Sequence, residues 1–139
     1  MATSPLVIPG AFTQLATGVT LDATLTTAQS VFTVPVGMKA LPMWIVFRDT
    51  GATVNAATTV SVGVTGAATQ YLNASTLLQS MLTTTGPVIQ PLFGSSVGTA
   101  KPYMTQSADL TVTFGGTLTS NDKIRVDVVG YIPDLNGAL

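Results

Sequence analysis

The chain contains no cysteine, no histidine and no glutamate, and each absence removes a class of chemistry. Without thiols there is no disulfide framework and no thiolate nucleophile. Without His or Cys, neither Ser-His-Asp and Cys-His constellations nor zinc sites of the usual Cys and His composition can be built within one chain. The scarcity extends to charge: Asp, Glu, Lys and Arg together make up 8% of the residues, against about 25% in ordinary soluble domains. The longest purely apolar run, Met43-Trp-Ile-Val-Phe47, is far shorter than the ~20 residues a membrane-spanning helix needs. The sequence starts Met1-Ala-Thr-Ser-Pro-Leu6, without a positive segment of the secretory kind. The expectation is a protein neither exported by that route nor embedded in a membrane.

The remaining carboxylates are Asp22, Asp49, Asp109, Asp122, Asp127 and Asp134. Their spacing favours no catalytic pair: Asp122 and Asp127 would point to opposite faces of one strand, and Asp49, Asp109 and Asp134 sit beside turn residues, where Asp bonds backbone. No Asp-x-Asp-x-Asp loop suggests calcium. Gly63-Val-Thr-Gly66 and Phe114-Gly-Gly-Thr117 lack the lysine and following helix of a phosphate loop and read as turns. Asn73-Ala-Ser75 fits a glycosylation triplet, read as accidental without a secretion signal. Only five Lys and Arg are scattered through the chain, whose pI is near 4.8, so no basic stripe exists for nucleic acid. The expectation is a protein that is not an enzyme and carries no cofactor or metal.

What is present is Thr, Val and Ala, punctuated by Gly and Pro, in 139 residues with mean hydropathy +0.50. That composition folds rather than staying disordered, and its rhythm of short alternating segments predicts an all-β fold, an antiparallel β-sandwich of jelly-roll type. Pro5, Pro9 and Gly10 make residues 1–18 an irregular N-terminal arm, with residues 19–139 as the sandwich domain. Strands are expected over 19–27, 30–34 (closed by the Pro35-Val-Gly37 turn), 41–48, 59–65, 110–114 and 123–132. Residues 49–55 read as a hairpin loop, and 110–114 is expected to pair with 123–132. Pro91 makes 87–93 an edge strand or a bulged one. Leu77, Leu78, Met81 and Leu82 suggest one short helix near 74–83, capped by Asn73 or Ser75.

A domain this short of charge lacks the mixed-sign coat that keeps monomers soluble, which points to burial against neighbours. Three features are candidates for that contact. Leu6, Val7 and Ile8 either hang free on the arm or fold back on the sheet. Trp44, the sole Trp, lies on a strand apolar on both faces, and reads first as core packing and second as an intersubunit contact. On the last strand Lys123, Arg125 and Asp127 form a ladder beside Val129 and Tyr131, either a solvated face or an interface rim. Arg48, ending the apolar strand, joins the candidate interface set.

The order Phe32-Thr-Val-Pro-Val-Gly37, Phe47-Arg-Asp49, Val60-Ser-Val-Gly63, Tyr71-Leu-Asn-Ala-Ser75 and Ile124-Arg-Val-Asp-Val-Val-Gly-Tyr-Ile132 resembles small tailed-phage virion β-domain proteins of the capsid decoration (cement) or head-fibre type. The resemblance spans residues 30–132. It implies a homo-oligomer, commonly a trimer, made in the host cytoplasm and seated on the outside of the capsid, where it clamps major capsid proteins against internal pressure. The runners-up are a tail or fibre component and a carbohydrate-binding module, for which Trp44, Tyr71, Tyr103 and Tyr131 are the available aromatics.

Overall fold

The structure, a computed structural model, describes residues 11–49, 59–75, 87–92, 103–115 and 123–133. Eight strands follow one another: β1 (Ala11–Asp22), β2 (Gln29–Thr33), β3 (Leu41–Asp49), β4 (Thr59–Val64), β5 (Ala67–Ser75), β6 (Val88–Pro91), β7 (Asp109–Gly115) and β8 (Lys123–Ile132). They form two four-stranded sheets, ordered β1-β8-β3-β6 and β2-β7-β4-β5. Every pairing is antiparallel.

The topology is that of a long hairpin wound on itself. The innermost pair is β4 with β5, closed by the two-residue turn Thr65-Gly66, where Gly66 takes φ +88°. Outside it lie β3 with β6, β2 with β7 and β1 with β8, each successive pair widening the separation along the chain. The nested pairs alternate between sheets, and β3–β8 and β4–β7 contacts then zip each sheet together. This is the eight-stranded jelly roll. The second shell of pairing extends past β2 and β7: Ala40 and Met104 exchange both backbone hydrogen bonds, at 3.1 and 2.7 Å.

Alternation fills the space between the sheets. Ile124, Val126, Val128 and Ile132 of β8, Ile45 and Phe47 of β3, Val60 and Val62 of β4, and Leu110, Val112 and Phe114 of β7 are all buried. Burying such side chains stabilises by about 1.5–3 kcal/mol each.

Several sequence expectations are corrected. β1 begins at Ala11, inside the stretch read as arm, and residues 1–10 lie outside the described residues. Its period-two pattern is hidden by bulges between Gln14 and Ala16 and between Ala16 and Val19, the second containing Gly18 at φ +62°. The strand stops at Asp22, not residue 27, because the Asp22 carboxylate accepts the Thr24 N–H (3.0 Å) and its carbonyl accepts the Leu25 N–H (3.2 Å), making a turn. Leu25 is accordingly exposed. β3 and β4, on either side of the expected hairpin loop at 49–55, belong to different sheets and do not pair as a hairpin; residues 50–55 lie outside the described residues. Nor does β7 pair with β8: both alternate because both line one core from opposite sides. Gly63 is a strand residue whose Cβ would lie 2.1 Å from the Ala67 carbonyl oxygen, not a turn. Asn73 and Ser75, read as helix caps, end β5; the rest of the 74–83 segment lies outside the described residues.

By contrast, Pro35-Val-Gly37 turns as expected. Met38 N–H donates to the Pro35 carbonyl (3.2 Å) and Gly37 takes φ +80°. β6 lies at a sheet edge, with Pro91 as its last residue.

Candidate interaction surface

On β8 the same alternation that buries Ile124, Val126 and Val128 turns Lys123, Arg125, Asp127, Val129 and Tyr131 to the outside of the β1-β8-β3-β6 sheet. Register then decides what stands beside them. Trp44 lies opposite Val129, Val46 opposite Asp127 and Arg48 opposite Arg125 on β3; Phe12 lies opposite Tyr131 on β1; Ile89 lies opposite Val46 on β6. The outer face is thereby divided lengthwise into an apolar half and a charged half.

The apolar half is built around three rings. Phe12 lies with its centroid 6.1 Å from Trp44 and 5.9 Å from Tyr131, tilted 53° and 56° to them, within the range of favourable aromatic pairs. Phe12 and Ile89 are 64% and 61% exposed. These are large apolar side chains left in water on a face whose centre, Trp44, Val46, Val129 and Tyr131, is half-buried.

In the charged half, Asp127 is the organising group. Its Oδ1 accepts the Gly18 N–H (2.7 Å) and Arg48 Nη2–H (3.0 Å). Arg48 Nε lies 2.8 Å from Oδ2, close enough for ion pairing although its N–H is not aligned for a hydrogen bond. Asp127 thus pins the β1 bulge and the end of β3 to β8. At the far end Lys123 Nζ donates to Asp22 Oδ2 (2.6 Å). That bond, with those from the Thr24 hydroxyl and N–H, lowers the Asp22 pKa from 3.8 to about 2. Arg125 stands between the two pairs, directly opposite Arg48, and its guanidinium makes no hydrogen bond or ion pair with any described residue.

Of the residues singled out from sequence, Trp44, Arg48, Lys123, Arg125 and Tyr131 therefore share one face. Leu6, Val7 and Ile8 lie outside the described residues. Trp44 does not join the buried core, the first reading from sequence. A register shift between Pro42 and Trp44 buries Pro42 and gives the next inward positions to Ile45 and Phe47, so the indole faces out. Phe12 and Ile89 were missed. Phe12 fell within the segment read as arm, and Ile89 is marked only by lying between Val88 and Gln90 in a short strand.

The described carboxylates serve the fold: Asp22 and Asp127 as above, and Asp109 by accepting the Thr33 hydroxyl. No group of three or more metal-ligating acidic side chains occurs among the described residues.

No family model matches the sequence, and no curated protein matches it. Among solved structures, a chain of the cyanophage Pam1 capsid asymmetric unit is similar, with 22% sequence identity and a TM-score of 0.55 over 96% of this chain and 93% of that one. The likeness is one of fold, shared across almost the whole length of both chains.

Proposed function

We propose that the chain is a non-enzymatic structural protein of a tailed-phage virion, a decoration protein that binds the outside of the capsid as a trimer and stabilises it. The observation that carries this reading is the shared fold, end to end, with a chain from a phage capsid asymmetric unit. Composition agrees with it. A chain with only 8% charged residues suits lasting burial against neighbours better than life as a dilute monomer. A cement function asks for no reacting group: modest contacts repeated over a lattice add up through avidity.

The rings on the outer sheet face also bear on the carbohydrate-binding alternative. Tyr71 is buried, which removes one of the aromatics considered for a sugar platform. Phe12 is tilted by more than 50° to both Trp44 and Tyr131, a cluster that suits a protein partner with interlocking side chains.

The test is addition of purified protein to particles of the encoding phage assembled without it, followed by heating. Saturable attachment and a higher temperature of DNA release are expected, with a trimer by native mass measurement. Absence of attachment at saturating concentration overturns the reading.

A further inference from the structure

Resting on the capsid-binding reading, we propose that the outer face of the β1-β8-β3-β6 sheet is the surface that meets the shell. In this arrangement the shell protein offers an apolar patch to Phe12, Trp44 and Ile89 and a carboxylate to Arg125.

Interfaces place aromatic and Arg side chains at their centre and polar groups at their rim, and this face has that anatomy, with two side chains more than 60% exposed at the apolar end. Its charges do not balance internally. Arg48, Lys123 and Arg125 face two carboxylates, Asp22 and Asp127, and both are already engaged. The described side chains of this face therefore sum to +1 on a chain whose formal charge is −1. The surplus is localised at Arg125, held opposite Arg48 by register. Like charges directly opposite each other on a sheet are unfavourable, and a carboxylate from outside relieves the repulsion. Among the described residues, a second copy docked through the same face offers no spare carboxylate, because Asp22 and Asp127 are already paired. The occupant is a different surface: apolar, with an acidic side chain.

The charge is also placed to direct assembly. A buried Arg–carboxylate contact beside an apolar anchor fixes orientation, since sliding the anchor leaves a desolvated guanidinium unpaired.

Co-sedimentation of wild type, Arg125→Glu, Arg125→Lys and Phe12→Ser with particles lacking the protein tests this, with melting temperature and native mass measured alongside. Arg125→Glu and Phe12→Ser are expected to raise the half-saturating concentration by about 10-fold or more. Arg125→Lys should retain most of the affinity, and all three variants should keep wild-type melting and mass. Wild-type attachment by both Arg125→Glu and Phe12→Ser overturns the assignment of this face while leaving the capsid-binding reading intact. Loss of native mass in Arg125→Glu overturns it differently, by showing that the face lies between copies. Failure of the wild type to attach removes both proposals.

Discussion

At Gly130, in the middle of β8, a Cβ would fall 2.5 Å from Leu15 Cδ1 and 2.5 Å from the Leu41 carbonyl oxygen. Leu15 occupies the space that an inward side chain at this position would need, and the backbone of β3 closes the other side. Gly130→Ala is expected to cost about 1–3 kcal/mol in a denaturant melt, whereas wild-type stability would show that the strands separate more easily than their packing implies. A second residue-scale consequence concerns acid. Asp22 has its pKa lowered from 3.8 to about 2, chiefly by the Lys123 ammonium and then by Thr24. The folded-state value is the lower one, so the stabilisation is fully present above about pH 4 and is lost as pH falls towards 2. Asp22→Asn should flatten the stability profile in that window relative to wild type; parallel profiles would contradict the pairing. In the sequence, Gly130 shows only as a gap in an apolar face, since the side chain that fills it comes from β1, more than a hundred residues earlier.

Strands with unbroken alternation were legible: Leu110-x-Val-x-Phe114 and Ile124-x-Val-x-Val128 lie where their pattern predicts, inward side chains buried. The misses have separate causes. Register shifts break the period-two pattern of β1, and Pro5, Pro9 and Gly10 mark the stretch that holds Phe12 as an arm. Trp44 reads as core because its strand is apolar on both faces, a pattern that does not tell which face is covered. Among the described side chains of β5 only Tyr71 is fully buried, and the strand reads Ala-Ala-Thr at its start, too plain a pattern to mark a strand. Pairing was harder to foresee than existence, because a jelly roll joins strands distant in sequence and sends neighbours such as β7 and β8 to different sheets. The element order also predicts dynamics. β8, β3, β7 and β4 are paired on both sides and the other four strands on one, so amides of β8 should exchange more slowly than those of β6, the short edge strand. Equal protection in a hydrogen-exchange experiment would argue that something covers that edge.

For the whole molecule, the two sheets differ. The β2-β7-β4-β5 sheet sets Ser30 opposite Thr111 and Ser61 opposite Thr113, with Thr111 and the Thr113 hydroxyl oxygen buried. The β1-β8-β3-β6 sheet carries the exposed Phe12 ring, the half-buried Trp44 and Tyr131, and the Arg125 guanidinium, which pairs with no described residue. A cryo-electron microscopy reconstruction of the particle is the most direct test. The account predicts density for the jelly roll on the capsid exterior, with Phe12, Trp44 and Arg125 turned to the shell. A particle without such density, or with the β2-β7-β4-β5 sheet against the shell, would contradict it.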